Sequence, residues 1–341
     1  MRYPFGLVFA ATRHVLGQKL RGRRKFAVVL SLDPLGAGDR TANGGKRSGR
    51  ARPLTVGECL RALEECNTPV VVISGGEPLE YEEMPVLARA ILDRGKHLFL
   101  STDGTLIRRH LHMIPPYTEF FWNVRLSGTE AVHDQRVRRP GVFREALDGI
   151  KAAKNAGFFV LVTTTVYPDT DLSDVEALYE RLHTMHVDGY LLSPYYPEER
   201  LCRDSSRRFH EQMRARFREA SEQLASYNLL VLPFYMEYLR GERELGCCAW
   251  GGPVFGPQGW TGPCRVLGAA YATSYQELLQ ETVWENYGRG LNPRCENCEC
   301  SEGFETAAIM GMNRKAGDIW KLLAWQWAGR MGEKREGRRP R

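Results

Sequence analysis

The chain has 341 residues, 43% apolar, 26% charged and 10% aromatic, with a formal charge of +6 concentrated at its two ends. That composition builds one large core or two medium ones and excludes a disordered chain, a collagen-like repeat and a disulfide miniprotein. No apolar run approaches the ~20 residues of a membrane-spanning helix, and the mean hydropathy is −0.39.

Residues 1–26 form a basic amphipathic segment. Phe5, Phe9, Leu16 and Leu20 share one helical face, and RGRRK follows directly. Such a stripe suits a helix plugging the bottom of a barrel, or an interfacial helix on anionic lipid. Arg13, His14 and Lys19 break the apolar stretch, so it does not read as a secretory signal. The expected compartment is cytoplasmic and reducing, with peripheral membrane contact as an option. The basic ends point to anionic lipid, to nucleic acid, or to plain solubilising tails. Neither RGRRK nor the terminal GEKREGRRPR interleaves aromatics with its cations, which counts against nucleic acid.

From residue 27 apolar runs alternate with helical patterns. Strands are predicted over 27–32, 69–74, 97–102, 118–128, 158–167 and 188–196. Helices are predicted over 55–66, capped by Thr55 with Glu58 three residues on, over 82–95, from Thr105, over 143–157 and over 173–186. Six near-evenly spaced βα steps predict an α/β fold, an incomplete (β/α)6 TIM-like barrel spanning 27–235, with its chemistry at the C-terminal ends of the strands. SGGEP, STDG, RLSG, TTTVY and LSPYY would converge there. From about residue 236 Gly, Pro, Trp and Cys dominate, predicting a small Cys-rich metal-binding module over 236–313. A C-terminal helix and basic tail fill 314–341.

Six of the nine cysteines fall between Cys247 and Cys300, and in a reducing compartment such clustering points to metal. Cys295 and Cys298 supply a short chelate bite, with Cys247 and Cys264 as completing thiolates. Four thiolates suit an auxiliary [4Fe-4S] cluster or a structural zinc, and Cys248 and Cys300 are alternative ligands. Cys59 and Cys66, seven apart on one helix face, are most simply small core residues, and His133-Asp134 is most simply structural.

The ordered series LDPL, GGEP, STDG and RLSGTEAVHDQRVR resembles the radical S-adenosylmethionine superfamily. Within it the pattern resembles the hopanoid-pathway branch of adenosylhopane synthases, through GECLRALEEC, SP-x-Y at Ser193 to Tyr196, CxxWG at 247–251, PC at 263–264 and CxNC at 295–298. The resemblance implies that Gly75, Gly76, Glu77 and Pro78 hold the methionine amino group of S-adenosylmethionine. It puts Thr102 and Asp103 at the strand-three position, and Arg125 with Ser127 facing the ribose. It also implies transfer of a 5′-deoxyadenosyl group to a polycyclic isoprenoid lipid, the pentacyclic triterpene diploptene. Phe121, Trp122, Tyr195 and Tyr196 are candidates to line a mouth for that lipid or, for the first two, to pack the barrel.

One departure is severe. The superfamily's first-loop cluster needs C-x3-C-x2-C, and that spacing falls here on Gly38, Ala42 and Gly45. No cysteine precedes Cys59, so no first-loop cluster and no radical initiation are expected. The expectation is a degenerate member that retains nucleoside binding, or a non-catalytic partner of a cluster-bearing paralogue.

Overall fold

The computed structural model describes residues 2–36, 52–196, 203–268, 270–296, 298–311 and 317–336. Gly38, Ala42 and Gly45, Cys202 and the last five residues lie outside the described residues.

Six parallel strands follow one another in order: β1 (Val29–Leu32), β2 (Val70–Ile73), β3 (His97–Thr102), β4 (Phe120–Arg125), β5 (Phe159–Val166) and β6 (Gly189–Pro194). Between them run α2 (Val56–Cys66), α3 (Met84–Leu92), a short α4 (Ile107–His110), α5 (Glu130–Val137), α6 (Val142–Asn155) and α7 (Leu172–Thr184). The sheet does not close; it is the α/β, incomplete-barrel architecture that the alternation predicts. Thr55 caps α2 in a full capping box with Glu58, satisfying two otherwise orphaned N–H groups.

Alternate residues of each strand face opposite ways, and the two faces differ in chemistry. Leu30, Leu32, Val71, Ile73, Leu98, Leu100, Phe120, Trp122 and Val124 pack outward into the layer of helices. The inward face is apolar at the bottom, where Val70, Phe99, Phe121 and Leu161 pack together. It turns polar toward the top: Ser101 pairs with Asn123, and Asn123 accepts a hydrogen bond of 2.7 Å from the Thr163 hydroxyl. Phe121 and Trp122 are both fully buried. They are barrel packing, the second of the two roles the sequence offers them; strand pleat sends Trp122 against Phe120 and Phe121 against Phe99.

Helix α1 (Phe5–Leu20) closes the bottom of the barrel, with Leu7 in the inner cluster and Val15 in a second cluster with Phe26, Val28 and Cys248. Beyond β6 come α8 (Arg203–Gln223) and α9 (Pro233–Leu239). The Cys-rich segment is less separate than its composition suggests. Its β7 (Val254–Gly256) pairs parallel with β1, and β8 (Gly259–Gly262) and β9 (Ala270–Ala272) follow antiparallel, extending one sheet to nine strands. Then α10 (Tyr275–Glu281), α11 (Ser301–Met310) and α12 (Asp318–Glu336) complete the chain. Among the described residues no helix is long and apolar enough to cross a membrane.

Helix α12 is pinned by a buried ion network. Arg243 binds Asp318 at 2.9 Å and Glu237 at 2.7 Å, and Lys321 also meets Glu237. The Arg243 guanidinium lies 4.6 Å over the Phe234 ring.

Candidate functional site

The turn after β2 is built by its glycines. Gly75 and Gly76 both have positive φ, +95° and +67°, which a side chain would resist. The turn delivers Glu77 to the barrel mouth as the cap of a short 3-10 turn over Pro78–Glu80. Its buried carboxylate takes three hydrogen bonds: the Thr102 hydroxyl at 2.8 Å, the Asp103 N–H at 2.8 Å and the Leu79 N–H at 3.1 Å. Burial, with Asp103 close by, pushes the Glu77 carboxyl up to about 7. Glu77, Thr102 and Asp103, which the sequence places 25 residues apart and more, therefore form one hydrogen-bonded unit.

Arg125 reaches across from β4. Its guanidinium donates to the Gly76 carbonyl at 3.0 Å and to the Ser101 carbonyl at 3.1 Å, so it braces the glycine turn. Ser127 sits just beyond β4, where its N–H donates to His133 Nδ1 at 3.2 Å; His133 is buried and holds this loop. Asp134 accepts from the Gly141 and Phe143 N–H groups at 2.5 and 2.9 Å, a structural role as expected from sequence. Outside the turn, Glu77, Glu80, Asp103, Thr105, Arg109 and Arg139 line a cleft of about 450 Å³ that carries both signs of charge.

Two participants escaped the sequence. Asp33, at the end of β1, packs against Gly75. Arg265 reaches from the C-terminal module, donating to the Ser74 hydroxyl at 3.2 Å and pairing with Glu302 at 3.4 Å. The LDPL motif marks the first by its place after a strand; nothing local in the sequence marks the second.

The C-terminal cysteines converge on a second pocket. Cys247, Cys264, Cys295 and Cys298 line it together with Ala249, Pro263, Val266, Phe304 and Arg289. The Cys-Cys dipeptide splits: Cys247 faces this pocket while Cys248 is fully buried in the core beside α1. Cys300 lies beside it, with its thiol 2.5 Å from Glu302. Burial pushes the Cys264 thiol up to about 12 and raises Cys247 and Cys295. Hydrogen bonding from Cys300 lowers Cys298. Gly303 keeps the pocket open, because a Cβ there would stand 2.6 Å from Cys247 Sγ. Among the described residues no three Cys, His, Asp or Glu side chains are gathered tightly enough for a single metal ion. Cys295 and Cys298 are buried and Cys247 and Cys264 half-buried around one largely apolar pocket, a donor set that suits a thiolate-held group. Cys59 and Cys66 are buried core residues.

Comparison with known proteins gives matches to two family models. Residues 37–182 match the model of the radical SAM superfamily, and residues 191–322 match a domain of unknown function, DUF3463. The AdoMet-dependent heme synthase of Methanosarcina barkeri is 31% identical over 121 residues, 34% of this chain and 35% of that protein. The Fe-coproporphyrin III synthase of the same organism is 28% identical over 121 residues, 35% of this chain and 30% of that enzyme. The chain thus spans about a third of the length of these two relatives. Among solved structures the fold is similar to Streptococcus suis SuiB bound to its precursor peptide SuiA, with TM-score 0.59 and 14% identity over 84% of this chain and 74% of that one. It is also similar to anSMEcpe with bound AdoMet, with TM-score 0.54 and 14% identity over 92% and 96%. The radical SAM superfamily model matches within the barrel, and the solved structures share its fold. The two relatives are named for heme and coproporphyrin, not for hopanoids.

Proposed function

We propose that the chain binds S-adenosylmethionine, or a nucleoside with the same ammonium group, at the barrel mouth, with Glu77 as the ammonium acceptor. One observation carries this reading: a buried carboxylate, locked by three hydrogen bonds and raised to about 7 beside a second carboxylate, is a site that a cation relieves. Gly75 and Gly76 allow close approach, Pro78 starts the turn, Thr102 and Asp103 fix the carboxylate, and Arg125 with Ser127 borders the ribose side. SAM-bound neighbours of similar fold support the assignment.

In the superfamily, S-adenosylmethionine supplies a 5′-deoxyadenosyl group when a first-loop cluster reduces it. This chain has no cysteine before Cys59, so the proposal is binding without radical initiation by that route. The likeness of the motif series to adenosylhopane synthases extends it to a polycyclic isoprenoid lipid as second ligand, met by Tyr195 and Tyr196 at the end of β6. The heme-directed relatives favour a tetrapyrrole as the second reading. A third use of the same site is as the nucleoside-sensing, non-catalytic partner of a cluster-bearing paralogue.

Cys247, Cys264, Cys295 and Cys298 would hold an auxiliary [4Fe-4S] cluster. A structural zinc on the same four thiolates is the alternative, and iron, sulfide and zinc per chain separate the two.

Titration calorimetry with S-adenosylmethionine tests the nucleoside site. Wild type binds and Glu77→Ala loses at least tenfold; absence of binding by both overturns the proposal. A Soret shift on adding iron coproporphyrin, with no response to the triterpene, decides for the tetrapyrrole reading.

A further inference from the structure

We propose that α1 and α12 together form a docking surface for an anionic phospholipid bilayer. Four large apolar side chains of α1 face solvent: Phe5 is 66% exposed, Phe9 56%, Leu16 56% and Leu20 88%. At 3.6 residues per turn they fall within an arc of about 60°, on the side away from buried Leu7 and Val15. Phe5 and Phe9 stack on each other at 6.1 Å. Exposed Arg13 and Lys19 flank this stripe, one on either side, and exposed Arg21, Arg23 and Arg24 follow the helix. No Asp or Glu occurs before Asp33.

Helix α12 repeats the pattern. Ile319, Trp320, Leu323 and Trp327 are exposed, Trp320 by 76%, and span an arc of about 100°. Its charged neighbours Asp318 and Lys321 turn inward to Arg243 and Glu237.

The residues just before α1 meet α12. The Arg2 N–H donates to the Gln326 carbonyl at 3.2 Å, the Gln326 amide donates to the Tyr3 carbonyl at 2.7 Å, and the Tyr3 and Trp325 rings lie 6.0 Å apart. Phe5 and Trp327 thus each stand within three residues of one junction. The two helices leave eight large apolar side chains exposed, where a solubilised face would have polar ones.

The charge decides what covers them. Trp and Phe beside Arg and Lys are what an amphipathic helix presents at a headgroup boundary, where rings sit at the interface and cations meet anionic lipid. A second copy of the chain would set this basic surface against itself. The C-terminal residues Arg338, Arg339 and Arg341 add to the same sign. The inference stands apart from the nucleoside site and does not need it.

Vesicle co-sedimentation of the full chain tests it, comparing phosphatidylcholine with phosphatidylcholine containing roughly 30% phosphatidylglycerol. Binding to the anionic vesicles is expected to exceed binding to the neutral ones at least tenfold at about 50 mM salt, and to collapse at about 500 mM. Phe5→Ser with Phe9→Ser, and separately Trp320→Ser with Trp327→Ser, should each weaken it about tenfold. Arg23→Glu with Arg24→Glu should remove the preference for anionic lipid. All these positions are exposed, and an unchanged circular dichroism spectrum and melting curve will show the variants folded. Equal binding to both vesicle types, or aromatic variants that bind like wild type, would overturn the proposal. So would a dimer in sedimentation velocity that the same substitutions dissolve, since the face would then belong to a second copy.

Discussion

The Asp33 carboxylate occupies the space that any side chain at Gly75 would need: a Cβ built there lies 2.1 Å from Asp33 Oδ1. Strand β1 and the turn after β2 are thereby locked to each other, and only glycine permits the lock. Gly75→Ala meets both this overlap and a backbone at φ +95°. It should cost about 1–3 kcal/mol for the strained conformation alone, and displace Glu77. Urea unfolding with calorimetry on the same sample checks it; an alanine variant that binds S-adenosylmethionine as wild type does would detach the turn from the site.

Glu77 predicts a pH signature. Its folded carboxyl lies near 7 against about 4.5 in the unfolded chain, so the fold favours the protonated form. That contribution is present in full below about 4.5 and is lost as pH rises to 7, a decline on the order of 3 kcal/mol across the window. Glu77→Gln cannot titrate and should flatten the stability curve between those values. A cation on Glu77 favours its ionised form, so S-adenosylmethionine affinity should climb from pH 6 to about pH 7 with protons released on binding, until the ligand's own ammonium begins to titrate at about 8. Calorimetry in buffers of different ionisation enthalpy measures that release; none at pH 6.5 would remove Glu77 from the ligand.

For the thiol pocket, anaerobic reconstitution should load about four irons and four sulfides per chain. Cys295→Ala with Cys298→Ala should abolish both and loosen the C-terminal segment, because ligation there is also folding energy. One zinc per chain without sulfide would overturn the cluster, and about eight irons would contradict the reading of a cysteine-free first loop.

The ion network on α12 predicts an asymmetry. Arg243→Ala removes the cation that Glu237 and Asp318 share in a buried setting, and should destabilise by about 3–5 kcal/mol. Replacing Glu237, Arg243 and Asp318 together by apolar residues of similar volume should cost much less. Denaturation of the two variants decides; equal losses would mean that the three side chains act by packing alone.

Much of the barrel was legible because parallel strands buried on both faces leave unbroken apolar runs, as in HLFLST, which coincides with β3. The helix caps were legible for a similar reason: Thr55 and Glu58 satisfy each other locally, within one turn. The Gly and Trp-rich segment hid β7 to β9, since strands of three or four residues are too short to show a period. Trp122 stays open between mouth and packing in the sequence because an aromatic on a strand looks the same from either side; only the pleat decides which face it takes. Within the site, Glu77 and Thr102 were found through motif order, whereas Arg265 arrives from a segment nearly 200 residues away and nothing beside it in the chain announces the contact. The exposed tryptophans of α12 are not legible in the sequence, because a Trp-rich helix is as consistent with a core as with a surface until its neighbours are known.

The parallel pairing of β1 with β7 has a consequence for synthesis. Leu32 finds its second strand neighbour at Phe255, more than 220 residues later, and the Ser31 and Asp33 N–H groups wait for the carbonyls of Pro253 and Phe255. While the ribosome is still making the first six βα steps, β1 is an open edge with donors unpaired and with Asp33, the residue that locks Gly75, unanchored on one side. A nascent chain in that state exposes a sticky strand for the whole time needed to translate the middle of the protein. The last third of the polypeptide therefore closes an edge that the first tenth opened, and chains released before residue 254 should be captured by chaperones or aggregate.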